Sequence, residues 1–96
     1  MAAYFIYTQL EVTDSEALAE YRSKVRATVA NHGGRNIVVD PNFEVKEGDW
    51  DGINTVVIEF PDMETLKTWY NSDEYKPLLE MRLRASRGNA IFADGI

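Results

Sequence analysis

The chain has 96 residues, of which 45% are hydrophobic and 27% charged, with a net charge of −6 and no cysteine. This length is enough for one domain, residues 1–96, and the acidic balance argues against nucleic acid or an anionic membrane surface as a partner, since both require a basic face. The lack of cysteine excludes disulfides, thiolate nucleophiles and cysteine-ligated metal sites. No secretion-type leader or membrane-length apolar run is evident, so we expect a cytoplasmic protein.

The first elements are a strand and an amphipathic helix. Aromatic and β-branched residues over 4–10 are typical of a strand. Apolar residues then recur at spacings of three and four, which predicts a helix. Its N-cap is either Thr13, in a capping box with Glu16, or Asp14. The pair Gly33-Gly34 ends the helix, because glycine accepts the left-handed conformation that follows a helix C-terminus.

Two strands separated by a loop follow the helix. Residues 37–39 form a β-branched strand that is interrupted around Pro41, and we expect it to resume over 43–45. A glycine-flanked loop carrying Trp50 comes next. The third strand, over 53–60, is the strongest in the sequence.

The last third of the chain predicts two helical segments and a final strand. Asp62 caps a helix over 63–70, and Ser72 caps the next segment, which continues to about residue 85. A turn at Gly88-Asn89 then leads into a strand over 90–93.

The element order is β-α-β-β-α-β, which predicts a ferredoxin-like α+β sandwich with helices on one face of a largely antiparallel sheet. Alternation along the first and third strands places mainly apolar side chains on both faces. In the first strand, Phe5 and Tyr7 point one way and Tyr4, Ile6 and Leu10 the other. In the third strand, Val56, Ile58 and Phe60 point one way and Ile53, Thr55, Val57 and Glu59 the other. Since helices cover only one face, we predict a homodimer that packs sheet to sheet.

Several short motifs occur in a specific order along nearly the whole chain. They are Asp14 and Tyr21, His32-Gly33-Gly34-Arg35, Gly48-Asp49-Trp50, Glu59-Phe60-Pro61, Trp69-Tyr70, Ser72 with Glu74-Tyr75, and Arg82. With these motifs the chain resembles the dimeric α+β barrel superfamily, and within it a family of short bacterial proteins known only as a domain of unknown function.

The resemblance implies the ferredoxin-like fold and a dimer with a shared barrel core, and no established activity. The wider superfamily includes cofactor-independent monooxygenases, haem-degrading enzymes, lactone isomerases and stress-response proteins, so function does not follow from the fold. Members of the small family often carry a basic residue four positions after the loop tryptophan. This chain has Asn54 there.

Glu59 and His32 are the candidate proton-transfer residues. Glu59 ends an apolar strand, where a charge is costly unless paired. It is therefore either a general base or ligand-orienting group, or a structural partner of Arg82 or Arg35. His32 lies in the last turn of the first helix, where it can bond terminal carbonyls, move a proton or serve as a haem ligand. No second ligand accompanies it, so we expect no metal site.

The candidate ligand-binding residues are three aromatic side chains and one arginine. Trp69 and Tyr75 belong to helical segments, and Trp69, like Tyr70, is expected in the core with its polar atom bonded. Trp50 is a loop residue that either closes the dimer seam or covers a cleft. Arg82 lies among apolar residues and needs an anion, supplied by Glu59 or Glu74 or by a ligand.

The sequence thus supports three alternatives for function. In the first, the protein binds a small organic ligand, without a cofactor, in a cleft between the helices and the sheet. In the second, that cleft is the active site of a cofactor-independent isomerase or monooxygenase-like enzyme in which Glu59 or His32 moves a proton. In the third, the dimer is a purely structural module.

Overall fold

The computed structural model describes residues 1–96 as four strands and three helices. Their bounds are β1 (Ala3–Val12), α1 (Ser15–Asn31), β2 (Arg35–Asp40), β3 (Asn54–Phe60), α2 (Met63–Tyr70), α3 (Lys76–Ala85) and β4 (Ser86–Asp94). The strands form one sheet in the order β2-β3-β1-β4, and every neighbouring pair is antiparallel. The helices cover one face of this sheet. The predicted ferredoxin-like α+β fold is confirmed. No helix has the length and apolar character needed to cross a membrane.

Aspartate side chains cap the two helices that follow β1 and β3. Asp14 accepts a hydrogen bond from the backbone N–H of Ala17 at 3.1 Å, so it, rather than Thr13, is the N-cap of α1. Asp62 accepts from the N–H of Thr65 at 2.7 Å, as predicted. These bonds satisfy helix N–H groups that have no partner within the helix, and they fix where each helix starts.

Two predicted boundaries are wrong. Residues 43–45 form no strand, because β2 ends at Asp40 and the chain leaves the sheet at Pro41. The last strand begins at Ser86 directly after α3, so Gly88 lies inside the strand opposite Gln9 instead of in a turn. A side chain at Gly88 would collide with the Tyr7 hydroxyl and the Thr8 carbonyl, so the glycine there serves close packing between strands.

The core lies between the helices and the inner face of the sheet and is rich in aromatic residues. Its largest fully buried side chains are Trp69, Tyr75, Phe5, Phe60, Ile58, Leu66 and Val29. The Trp69 ring lies 5.5 Å from Phe5, 5.2 Å from Phe60 and 4.1 Å from Tyr75. Its indole N–H donates to the Thr28 hydroxyl at 3.0 Å. Trp69 therefore joins α2 to α1 and to the sheet.

The outer face of the sheet carries an apolar row flanked by polar ones. The apolar row spans all four strands, because its members are successive cross-strand neighbours: Val38, Val57, Ile6 and Ile91. No helix covers it, and Ile91 is 57% exposed. The row on one side consists of Asp40, Thr55, Thr8 and Asn89. The row on the other side consists of Arg35, Glu59, Tyr4 and Ala93.

Candidate functional site

A cleft of about 340 Å³ lies between α1 and the part of the sheet formed by β1, β2 and β3. Its apolar wall consists of aromatic and aliphatic side chains, namely Phe5, Tyr7, Leu18, Tyr21, Val25, Val39, Val56 and Ile58. Its polar lining is Gln9, Arg22, Arg26, Asn36, Asn54 and Arg82. This volume is at the small end of the usual range for ligand pockets, about 300–1,000 Å³.

Polar residues at inward-facing strand positions create the polar part of the cleft. Gln9 continues the inward series of β1 after Phe5 and Tyr7, and Asn54 begins the inward series of β3. Both side chains are buried, at 3% and 7% exposure respectively. Since they occupy positions at which an apolar side chain would pack, the sheet is polar at the end where Gln9 and Asn54 face each other as cross-strand neighbours.

Two buried side-chain atoms in the protein have no hydrogen-bond partner, and both belong to residues that line this cleft. They are Asn54 Oδ1, an acceptor, and Arg82 Nε, a donor. A buried polar atom without a partner costs about 1–3 kcal/mol, and more when the group is charged. An incoming molecule with one acceptor and one donor could satisfy both atoms.

Arg82 extends from α3 into the cleft and is 5% exposed. Its guanidinium carbon lies 4.6 Å from the centre of the Tyr7 ring and 5.8 Å from that of Phe5. No carboxylate forms an ion pair with it. Burial alone would lower the pKa of Arg82, but the phenolic oxygens of Tyr75 and Tyr21 outweigh this effect and raise it. Arg82 is therefore a permanent buried cation next to aromatic faces.

Two tyrosines form the back of the site. The hydroxyl oxygens of Tyr21 and Tyr75 are 2.8 Å apart, and one donates to the other. Burial raises the pKa of Tyr21, and the neighbouring Tyr75 raises it further. Burial also raises the pKa of Tyr75, against the opposing effect of Arg82. Both phenols are therefore neutral near pH 7 and can donate hydrogen bonds.

The mouth of the cleft is also basic. Arg22 and Arg26 lie one turn apart on α1, and neither forms an ion pair. Arg22 Nη2 donates to Gln9 Oε1 at 3.4 Å. With Arg82, three of the six arginines in the chain line the cleft, whereas none of its sixteen Asp and Glu residues does. A chain with a net charge of −6 therefore has a cationic cleft.

Glu59 lies outside the cleft, on the outer face of the sheet. Its carboxylate accepts from Arg35 Nε at 2.9 Å and from the Tyr4 hydroxyl at 3.1 Å. Of the two partners considered from the sequence, Arg35 is therefore correct and Arg82 is wrong, because β3 directs Glu59 and Phe60 to opposite faces and Arg82 approaches the face of Phe60. Glu74 does not pair with Arg82 either, since it accepts from the Asn31 amide.

The other proposed site residues are also separate from the cleft lining. His32 Nδ1 is 2.9 Å from the Thr28 carbonyl at the end of α1. Trp50 is 52% exposed and contacts Phe43 edge-on, with 6.2 Å between the ring centres. Trp69 and Tyr75 are fully buried core residues behind the cleft. Of the six candidates, Arg82 alone lines it.

Sequence reasoning did not select Tyr7, Gln9, Tyr21 or Asn54 as cleft residues. A detectable pattern existed for two of them, because Gln9 and Asn54 are polar residues at inward positions of otherwise apolar alternating strands. In the sequence, Asn54 is distinguished only by the fact that similar sequences often carry a basic residue at this position. No group of three or more histidine, aspartate or glutamate side chains lies close enough to hold a metal ion.

The family of this chain follows from its match to one family model. The model of a domain of unknown function, DUF1330, matches residues 2–96. The chain belongs to this family. The resemblance seen in the sequence is thereby confirmed at the family level. No curated protein matches the sequence.

Solved structures of distant sequence share the fold. RPA0582 of Rhodopseudomonas palustris, of unknown function, aligns with a TM-score of 0.77 at 12% identity, over 99% of this chain and 82% of its own. A dimeric ferredoxin-like protein of unknown function from Jannaschia sp. CCS1 aligns with a TM-score of 0.80 at 10% identity, over 99% and 100%. SnoaB, a cofactor-independent oxygenase from Streptomyces nogalater, aligns with a TM-score of 0.70 at 13% identity, over 99% and 93%. At these identities the likeness concerns the fold alone.

Proposed function

We propose that this protein binds a small organic molecule in the cleft between α1 and the sheet, and that it does so as a homodimer. The observation that carries the binding proposal is the position of Arg82 Nε and Asn54 Oδ1. These are the two unpartnered buried side-chain atoms of the chain, and both belong to the lining of one cleft. Proteins rarely leave such atoms unsatisfied, and a ligand is one way to satisfy them.

A blocking variant tests whether ligands enter this cleft. Val39→Trp adds bulk at the cleft wall from the edge strand β2, where Val39 is 48% exposed. Ile37→Trp is the matched control, because Ile37 lies on the same strand, is 43% exposed and does not line the cleft. Small molecules from a metabolite screen should raise the melting temperature of the wild type and of Ile37→Trp, but not that of Val39→Trp. A screen without any such ligand would refute the proposal.

The outer face of the sheet supports the homodimer. The row of Val38, Val57, Ile6 and Ile91 resembles the apolar centre of an interface, and the neighbouring polar rows resemble its rim. A Cβ at Gly52 would meet both the Trp50 indole and the outer-facing Thr8, which supports a position of the exposed Trp50 at the seam of the dimer. The dimeric ferredoxin-like protein from Jannaschia sp. CCS1 has the same fold. A monomer mass by light scattering at micromolar concentration would contradict the dimer.

A catalytic role for Glu59 or His32 in this cleft has no geometric support, since neither lines it. The lining contains no carboxylate, histidine or lysine, which are the side chains that most often act as general bases. Ligand binding is therefore favoured over proton-transfer chemistry by the residues themselves. The likeness of fold to SnoaB supplies no residue that would change this conclusion.

A further inference from the structure

We infer that the ligand of the cleft is a small organic carboxylate with an apolar body, whose carboxylate binds Arg82. This inference rests on the proposed function and specifies the chemical class of the ligand. It is based on three features of the cleft. They are the lack of a counter-ion for Arg82, the positive charge around the mouth, and a single buried guanidinium next to an apolar wall.

The first feature is the lack of any anion near a buried cation. Arg82 is 5% exposed and no carboxylate of the chain pairs with it. Contact with an aromatic face, as at the Tyr7 ring, offsets only part of the free energy required to desolvate a charged group. An anionic ligand would supply the missing charge and accept from the free Nε–H.

The second feature is the sign of the charge around the mouth. Arg22 and Arg26 add two cations without ion-pair partners, and the lining holds no acidic residue. A cluster of like charges in a partly enclosed space raises the local concentration of oppositely charged ligands and repels cations. An amine ligand would have no anion to bind here.

The third feature, a single buried guanidinium next to an apolar wall, favours a carboxylate over a phosphate ester as the ligand. One buried guanidinium neutralises one charge, and its planar donors match the geometry of a carboxylate. A phosphate monoester carries a charge of about −1.5 to −2 at neutral pH. The remaining wall is apolar and suits an aromatic or branched aliphatic body. It includes Phe5, Leu18, Val25, Val56 and Ile58. Asn54 Oδ1 remains open to a hydroxyl or amide donor on that body.

Matched probes test the inference directly. Titration calorimetry would compare 3-phenylpropanoate and 4-methylpentanoate with the alcohols and the amines of the same carbon skeletons. Because hydrogen bonds to charged groups are stronger than neutral ones, each carboxylate should bind at least about tenfold more tightly than its alcohol, and the amines should not bind. Val39→Trp should abolish binding of the carboxylates, and Ile37→Trp should not.

A charge-removing variant assigns the contact. Arg82→Met should remove the tenfold preference for the carboxylate and leave the weaker affinity for the alcohol unchanged. Arg84→Met is the control, since Arg84 is an exposed residue of the same helix and does not line the cleft. Where Arg82→Met does not fold, Arg26→Gln replaces it: this exposed residue at the mouth should still lower carboxylate affinity, by a smaller factor that disappears at high salt.

The pH profile of the wild type gives an independent readout. The charged groups facing the site are Arg22, Arg26 and Arg82, and the nearby phenols are Tyr7, Tyr21 and Tyr75; the lining contains no carboxylate, histidine or lysine. Burial raises the pKa values of Tyr21 and Tyr75, which keeps both phenols neutral. Carboxylate affinity should therefore fall only below pH about 5, as the ligand itself is protonated, and alcohol affinity should not change.

The possible outcomes separate the two proposals. Alcohols that bind as tightly as carboxylates, with Val39→Trp still blocking them, would overturn the carboxylate inference and leave the ligand cleft intact. Retention of the carboxylate preference in Arg82→Met would also overturn it. Probes of all three classes that fail to bind, or that bind equally to Val39→Trp, would refute the ligand cleft itself.

Discussion

The hydroxyl oxygens of Tyr21 and Tyr75 lie 2.8 Å apart and join α1 to the segment that begins α3. Both side chains are buried, at 8% and 0% exposure, so neither hydroxyl can exchange its partner for bulk water. The pair lies directly behind Arg82, whose pKa it helps to raise. It therefore determines both how the two helices meet and what surrounds the buried cation of the cleft.

We expect Tyr75→Phe to lower the free energy of unfolding by about 1–3 kcal/mol, because the Tyr21 hydroxyl would remain buried with one partner fewer. The double variant with Tyr21→Phe should be more stable than the sum of the two single changes predicts, since both hydroxyls are then absent. Urea denaturation measures the three values. Tyr70→Phe is the control, because Tyr70 is half-buried and its hydroxyl makes no intramolecular hydrogen bond, and it should have little effect. Strict additivity would contradict a direct Tyr21–Tyr75 bond.

Stability should decrease at alkaline pH. The folded-state pKa values of Tyr21 and Tyr75 are raised, with burial as the main cause, so the folded state binds these protons more tightly than the unfolded state does. This contribution is complete below the unfolded pKa of about 10 and is lost as pH rises through the folded values. Unfolding by urea should therefore become easier above pH about 10. The Tyr21→Phe, Tyr75→Phe double variant should show a shallower decrease, and an unchanged slope would exclude these tyrosines as its source.

Substitutions at Glu59 and Arg35 should move the pKa of Tyr4 in opposite directions. The hydrogen bond to Glu59 is the main cause that raises the pKa of Tyr4, whereas Arg35 lowers it. Glu59→Gln should thus bring the pKa of Tyr4 down towards about 10, and Arg35→Met should raise it further. The tyrosine ring resonances in a pH titration by NMR report both shifts.

The same two variants distinguish a structural pair from a site residue. The Arg35 side chain is 74% exposed and that of Glu59 25%, so breaking their bond should cost less than about 1 kcal/mol of stability. Glu59→Gln should also leave ligand affinity unchanged, because Glu59 lies on the other face of the sheet. A tenfold loss of ligand affinity in Glu59→Gln would contradict the proposed location of the cleft.

A charge on the outer face should disrupt the homodimer. Ile91→Lys places an ammonium group at the end of the apolar row, and because Ile91 is 57% exposed in the single chain, the folded subunit should tolerate it. Leu83→Lys is the matched control, since Leu83 is 63% exposed on α3. Light scattering should give a monomer mass for Ile91→Lys and a dimer mass for Leu83→Lys. A dimer mass for both variants would place the interface elsewhere.

Trp69 should be the most costly aromatic residue to truncate. It is fully buried, packs against three aromatic rings and donates a hydrogen bond to Thr28, so Trp69→Ala should lower the free energy of unfolding by about 3–5 kcal/mol. Leu83→Ala, at an exposed position, should change it by less than about 0.5 kcal/mol. A loss below about 1 kcal/mol for Trp69→Ala would contradict its central position in the core.

Most of the fold could be predicted from local patterns, and both errors concern contacts between strands that are distant in the sequence. Alternation assigned Phe5 and Ile6 to opposite faces, and the structure confirms it. The error over 43–45 arose because apolar residues that alternate can form a strand only when a neighbouring strand is available to bond them. The error at Gly88 arose because glycine usually indicates a turn, whereas here it allows Tyr7 of the next strand to approach.

The sequence by itself determined the family, the order of elements and which residues within a strand share a face, because these depend on motifs, periodicities and caps that can be read locally. Only the tertiary structure decided which charges meet. It directed Glu59 to Arg35 on the outer face and left Arg82 without a carboxylate on the inner one. It also brought Asn54, at the start of β3, and Arg82, in α3, into one cleft. Strand register and helix packing set such long-range neighbours, and no local pattern encodes them.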